Sequence, residues 1–348
     1  MGGVFTRAPA LQFLHLPADT ETLLQDERVL VVIGSGLSAA TVGASRSASD
    51  SRLFELGFPV LPSGAQPMRQ VVRSGRRVQR VQHQALRGAT DGDYLFLTAQ
   101  LDAEVAIEVA TSAAYMQLLA AVQQLGFSHL IRVWNCLRDI NFGEGDAEQY
   151  RQFCIGRFEA FSRHARAPTY PAASALGLRD AAGRVGLLAA RFPAAAIENP
   201  QQVSAFRYPR VYGPTSPSFS RASLLRTEAG DVLLVSGTAA ITGHESMHVG
   251  HLDAQLRLCL ANIAAVVVAA EGPPAVFSAA PPSAAMSAPP LADIQLRIYL
   301  RHADSLASAR ASLAAALRVP FSVEWLQADI CRQELLVEVE AVLCWANP

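Results

Sequence analysis

The chain has 348 residues, of which 51% are hydrophobic and 17% charged, with a net charge of −1. That profile excludes a disordered chain and gives no overall pull toward nucleic acid or an anionic membrane. All 29 positive residues are arginine, which excludes lysine Schiff-base chemistry, lysine-anchored pyridoxal phosphate and a Walker phosphate loop, and leaves anion recognition to arginine forks.

At roughly 150 residues per domain, two domains are expected. In the first half, Arg28–Gly34, Arg77–Gln82 and Asp93–Leu101 read as strands. Thr111–Leu125 carries Tyr115, Leu118, Leu119 and Val122 at helical spacing. Ser128–Cys136 reads as a strand, Asp146–Ala165 as a helix and Val185–Arg191 as a strand. In the second half, Val203–Tyr208, Ala222–Arg226 and Asp231–Ser236 read as strands and His251–Ala269 as a helix. Ala292–Leu300 follows as a strand, Ala303–Leu317 as a helix, and Phe321–Gln327 and Glu334–Leu343 as strands. Both halves run strands, long helix, strand, helix, strands, so an internal duplication is expected, with residues 1–195 and 196–348 as its units and a boundary near Pro193–Pro200. Gly272–Pro290 is a Pro/Ala/Ser stretch expected to form a surface loop within the second unit.

Five cysteines, odd in number and without a CxxC pair, read as reduced thiols of a cytoplasmic protein. No signal peptide is expected at the N-terminus, and apolar runs such as Ile263–Ala270 are too short to span a bilayer.

Several motifs carry competing readings. His244, Glu245 and His248 fit HExxH, a zinc-peptidase helix motif. Gly243 and Gly250 bracket it, the next helix starts after it, and the third metzincin histidine falls on Ala254, so a loop cluster is the plainer reading. Gly34-Ser35-Gly36 follows an apolar strand but lacks the third glycine of a dinucleotide fingerprint, position 39 being Ala. Arg69, Arg73, Arg76, Arg77, Arg80 and Arg87 form a basic run without interleaved aromatics, which reads as a solvated strand with its loop more readily than as a nucleic-acid surface. In Glu334–Glu340, strand alternation puts Leu336, Glu338 and Glu340 on one side and Leu335, Val337 and Val339 on the other. A solvent-facing carboxylate row and a carboxylic acid facing a closed cleft are both open on that pattern. The stretch Asn199–Arg221 sets Tyr208, Tyr212 and Arg221 in a Pro/Gly-rich context.

Seven segments together resemble the chorismatases of actinobacterial polyketide starter-unit pathways and of xanthomonad pigment synthesis. They are Arg132–Asn141, Tyr150–Arg157, Ile197–Pro200, Tyr208–Pro214, Phe219–Ala222, Ser236–His244 and Asp329–Glu340. The resemblance covers most of the chain and is weakest over the first hundred residues. It implies an α/β (α+β) fold of two tandem units similar to the reactive-intermediate deaminase and monofunctional chorismate mutase subunits, each a mixed sheet with helices on one face. It also implies cleavage of the enolpyruvyl ether of chorismate to 3-hydroxybenzoate, with 4-hydroxybenzoate or the dihydrodiol as other products, and pyruvate. The catalytic acid would be Glu338. Tyr150, Arg157, Tyr208, Tyr212 and Arg221 match substrate-holding positions, and Gly237 with Cys331 match the pair that sorts members by product. No metal or other cofactor, nucleic acid or membrane is expected as a partner, and a monomer is expected. A non-catalytic small-molecule-binding module of the same fold and a zinc hydrolase are the competing classes.

Overall fold

The computed structural model describes residues 7–17, 19–35, 50–62, 68–164, 169–179, 181–273, 291–317 and 319–346. Gly36 and the part of the Pro/Ala/Ser stretch from 274 to 290 lie outside the described residues.

The chain opens with a small sheet of its own. Strands β1 (Leu11–Leu16), β2 (Val29–Gly34), β3 (Leu53–Glu55) and β4 (Arg69–Ser74) pair in the order β1-β4-β2-β3, with α1 (Thr20–Leu24) between the first two. The run Val29–Gly34 is buried throughout, as a central strand covered on both faces requires. These four strands stand apart from the two larger sheets that follow.

Next come β5 (Gln79–His83), β6 (Leu86–Thr90), β7 (Tyr94–Gln100), α2 (Ile107–Gln124), β8 (His129–Arg138), α3 (Gln149–His164), β9 (Ala172–Leu178) and β10 (Arg184–Ala190). They form a sheet in the order β9-β8-β10-β7-β6-β5, with β8 and β9 parallel and the other pairs antiparallel. The second half supplies β11 (Ala195–Ile197), β12 (Ala222–Thr227), β13 (Gly230–Thr238), a hairpin of β14 (Ile241–Thr242) and β15 (Glu245–Ser246), and α4 (Leu252–Ala269). It ends with β16 (Leu291–Leu300), α5 (Leu306–Ala316), β17 (Ser322–Gln327), β18 (Asp329–Ile330) and β19 (Val337–Trp345). Its sheet runs β11-β12-β13-β19-β16-β17, again with one parallel pair, β16 and β17. Numbered from one within each half, both sheets read 1-2-3-6-4-5. Each half is thus a mixed sheet carrying two helices, and the fold class is α/β (α+β), as anticipated.

The halves are stitched along β9. β18 pairs with its Leu176 and Gly177. At its other end, side chains replace a backbone ladder: Ala172 N–H donates to Ser223 Oγ at 2.9 Å and Ala173 N–H to Ser236 Oγ at 2.8 Å. One core cluster joins the small N-terminal sheet, one face of the first large sheet and the second half with its helices, and another lies between the other face of the first large sheet and helices α2 and α3.

Several expectations need correction. Val203–Tyr208 is not a strand; it holds a 3-10 turn, Ala205–Arg207, and a second, Arg210–Tyr212, follows it. Pro209, Pro214 and Pro217 just after it lack the N–H a ladder needs. Strands β1, β4, β6 and β9 were not anticipated. Helix α4 is, by length and composition, long and apolar enough to cross a membrane, contrary to the reading of its apolar run as too short. Here it lies on its sheet, with Leu256, Cys259, Ile263 and Val267 buried and the Cys259 thiol 3.9 Å from Val337 O.

The HExxH residues do not form a helix. Glu245 starts the second strand of a two-residue hairpin and His248 has a φ of 54°, so the two histidines do not stand one helical turn apart. Among the described residues, no group of three or more His, Cys, Asp or Glu is placed to hold a metal ion. The basic run is matched by acids: Arg73 with Asp26, Arg76 with Asp93 and Arg80 with Asp50, each at 2.6 Å, and Arg77 with Glu27 at 2.8 Å.

Candidate active site

Strand β19 places Glu338 and Glu340 on one face, two residues apart, while Val337 and Val339 point into the core. Neither carboxyl faces solvent: Glu338 is 3% exposed and Glu340 5%. Their surroundings differ. Glu340 receives Arg132 at 3.1 Å, Arg297 at 3.3 Å and the Tyr299 hydroxyl at 3.1 Å. Arg297 also holds Glu324 at 2.7 Å. Two arginines and two carboxylates therefore balance one another in a buried cluster. Glu338 stands outside that balance, and among the described residues it has no ion pair. Burial pushes the Glu338 carboxyl up to about 8, the charge of Glu340 adds to the rise, and Arg132 opposes it. Burial also works against ionisation of Glu340, but Arg132 and Arg297 beside it hold its carboxyl below the usual carboxylate range.

The opening in front of Glu338 comes from a bulge. The register of β13 against β19 shifts between Val235 and Thr238, so that Ser236 and Gly237 together stand opposite the single residue Glu340. Gly237 donates its N–H to Ser174 Oγ at 2.9 Å, across the junction with the first half. A Cβ added at Gly237 would overlap Glu338 Oε1 and come within 2.8 Å of its Cδ. Glycine is needed there because the carboxyl occupies the side-chain space.

Helix α3 forms the facing wall. Tyr150, Phe153, Cys154 and Arg157 recur at helical spacing and share its inner face. Gly156 lets this helix sit tight on α2: an added Cβ would come within 2.9 Å of the Glu108 carbonyl carbon. Arg157 is 3% exposed, its Nε and Nη2 have no hydrogen-bond partner, and its guanidinium lies 5.2 Å from the Tyr115 ring. A buried guanidinium with unpaired donor atoms has the chemistry to accept an anion.

A third wall comes from the Pro-rich segment. Arg221 donates to Tyr208 Oη at 2.8 Å and to Val203 O at 2.9 Å, while its Nε is left without a partner. The Tyr208 and Tyr212 rings are 5.5 Å apart, and Tyr212 Oη meets His244 Nδ1 at 3.1 Å. Arg332 covers Tyr212 with its guanidinium 3.8 Å from the ring centroid.

These walls line two adjoining, partly open cavities. Tyr150, Gly237, Cys331 and Glu338 line both; Arg157 lines the first, and Tyr208, Tyr212 and Arg221 the second. The fold thus brings all eight residues singled out in the sequence to one place. Three further contributors were missed. Ser174 and Arg132, joined at 2.6 Å, tie the bulge to the buried charge cluster. Ser218 lines the first cavity with a buried hydroxyl that has no partner. Arg132 and Ser218 lie inside or beside segments that carried the resemblance, but small-residue Ser174 gave no signal.

Comparison with known proteins agrees with this geometry. The family described as "Chorismatase FkbO/Hyg5-like, N-terminal" matches residues 70–189. A 3-hydroxybenzoate synthase of Streptomyces hygroscopicus is 33% identical over 300 residues, which is 83% of this chain and 85% of that protein. The chain belongs to the chorismatase family. A chorismatase of Streptomyces rapamycinicus is 35% identical over 267 residues, covering 75% of this chain and 78% of its own. The crystal structure of a chorismatase solved at 1.08 Å resolution superposes with a TM-score of 0.80 at 28% identity, covering 97% of this chain and 99% of that one. The similarity of the chain to its relatives thus spans both halves of the fold, and the cavities lie where they meet.

Proposed function

We propose that this chorismatase cleaves the enolpyruvyl ether of chorismate to 3-hydroxybenzoate and pyruvate, with Glu338 as the general acid. The observation that carries this reading is a buried carboxyl without a counter-ion, facing a cavity in which two arginines keep idle donors. Chorismate supplies two carboxylates for those arginines and an enol ether for the acid. Enol ether cleavage requires a proton on the methylene carbon, which creates an oxocarbenium-like centre next to the ether oxygen. An ordinary glutamate at neutral pH has already lost that proton; one raised to about 8 has kept it.

Attack of the ring hydroxyl on the neighbouring ring carbon then releases the side chain as pyruvate. The epoxide-like species opens, loses a ring proton and becomes a phenol. The atoms of chorismate equal those of hydroxybenzoate plus pyruvate, with no redox change. Attack by water on the side chain would instead give the dihydrodiol. The apolar walls at Phe153, Pro217 and Phe219 favour the first route by restricting water. Incubation of chelator-treated protein with chorismate, followed by chromatography, tests the reading. Hydroxybenzoate with equimolar pyruvate is the expected result. Dihydrodiol alone would overturn the product, and untouched chorismate would overturn the activity.

The acid role fixes the pH dependence. Glu338 must be protonated to act, so kcat is expected to fall as pH rises through about 8. The folded carboxyl binds its proton more tightly than the unfolded chain does. The contribution of Glu338 to stability is therefore present at low pH and lost as pH rises from 4.5 to about 8. A kcat that stays level well beyond that value would remove Glu338 as the acid.

Arg157→Met keeps the apolar stem and removes the guanidinium. A charge-assisted hydrogen bond is worth roughly 1.5–3 kcal/mol, so KM or Kd for chorismate is expected to rise about 10- to 150-fold. Unchanged affinity would show that the substrate's carboxylates bind elsewhere.

A further inference from the structure

Arg301 follows the last residue of β16 and lies outside both cavities. Its guanidinium is buried and uses all five of its donors. Nε donates to Leu335 O at 2.8 Å. Nη1 donates to Asn141 Oδ1 at 3.1 Å and Asp329 Oδ1 at 3.0 Å. Nη2 donates to Ile330 O at 3.1 Å and Arg332 O at 2.9 Å. Two of the five acceptors belong to the loop between β18 and β19 and two to β18 itself, and Ile330 and Arg332 flank Cys331 on either side. The backbone adds a sixth tie, from Arg301 N–H to Leu336 O at 3.0 Å.

We propose that Arg301 is a positioning residue that sets the product of the reaction by clamping Cys331 and Arg332 at the rim of Glu338. This rests on the functional reading above. The clamped loop carries two walls of the site: the Cys331 thiol, which lines both cavities, and the Arg332 side chain stacked on Tyr212. Arg332 is further fixed by donating to His244 O at 2.9 Å and Ser246 Oγ at 3.0 Å. Asn141, from the first half, completes the clamp by donating from Nδ2 to Ile330 O at 3.0 Å. One planar fork thus joins both halves of the fold to the loop that leads into the strand of Glu338. A lysine cannot replace it, because its three donors leave from one atom and cannot reach five acceptors spread around a plane.

The test compares wild type, Arg301→Lys, Asn141→Ala, Cys331→Ala and the Arg301→Lys/Cys331→Ala pair. Melting temperature and far-ultraviolet circular dichroism are read alongside product ratio, kcat and KM on chorismate. In Arg301→Lys, kcat is expected to fall on the order of 10- to 100-fold, since misplacement by about 1 Å has that scale of effect. KM should change far less, and product should move from hydroxybenzoate toward dihydrodiol. Asn141→Ala should move the ratio in the same direction by less, and it gives the answer if Arg301→Lys does not fold. The double variant should give the product ratio of Cys331→Ala alone, because of the two clamped residues only Cys331 lines both cavities and so bears on the product, while Arg332 bears on Tyr212. Additive ratios in the double variant, or a wild-type ratio in both folded single variants, would overturn the clamp while leaving the activity in place. Absence of product from wild type would overturn the functional reading itself.

Discussion

Glu338→Gln is expected to bind chorismate with near wild-type affinity and to turn it over at least about 10²- to 10⁴-fold more slowly, the scale of a lost general acid. Below the raised value of about 8, Glu338 is neutral, so glutamine copies both its charge and its shape and only the transferable proton is removed. The Arg132–Glu340–Arg297 cluster behind it keeps its own balance in the variant. Binding followed by calorimetry and turnover followed by pyruvate release separate the two effects. Wild-type-like turnover would take Glu338 out of the chemistry. Loss of binding with little loss of kcat would make it a substrate contact only.

Pattern and resemblance made different parts of this site legible. The alternation in Glu334–Glu340 put both glutamates on one face, whereas Tyr150 and Arg157 were picked out by the resemblance alone. Pattern alone did not say that the glutamate face was buried. That depends on Arg132, which is 165 residues upstream of Arg297 yet meets the same carboxylate across the junction of the two halves. The duplicated order of elements was readable because helices α2 to α5 punctuate it. In the small N-terminal sheet β2 was readable from its apolar run, but β1, β3 and β4 were not; β1 also meets the second half, with His15 Nδ1 2.8 Å from Ser322 Oγ. Strand β9, AASALGL, carries none of the aromatic or Val/Ile residues that mark strands and is recruited by its parallel neighbour β8. Serines 174, 223 and 236 form the seam around it, and hydroxyls that replace a backbone ladder leave no periodicity to read.

The charge cluster also explains why two adjacent carboxyls on one strand differ. Glu340 is the ionised partner of Arg132 and Arg297, and its charge adds to the burial that keeps Glu338 protonated. Pairs of titratable groups driven apart by their surroundings are a means of running acid chemistry near neutral pH. In this fold the first half supplies Arg132 and Ser174, and the second supplies both glutamates, so neither half alone holds the pair in that state.

Gly237→Ala is expected to lower kcat on the order of 10²-fold, the effect of moving a reacting group by about 1 Å. The added methyl takes space now filled by the Glu338 carboxyl, which has to rotate away from the cavity or toward the Ser174 hydroxyl, 3.1 Å from the new Cβ. The backbone bond from Gly237 N–H to Ser174 needs no side chain and should persist, so the change acts on the acid more than on the bulge. Overpacking of this kind costs roughly 1–3 kcal/mol, and a lower melting temperature is expected with it. Removing the Cys331 thiol in the same protein opens the cavity on another side of Glu338. The Gly237→Ala/Cys331→Ala variant should therefore recover part of kcat, and with more room for water its product should shift toward the dihydrodiol. Chromatographic product ratios and pyruvate release decide it. An unchanged ratio in the double variant would show that these two positions do not sort the product, and a wild-type kcat in Gly237→Ala would show that the carboxyl acts from another place.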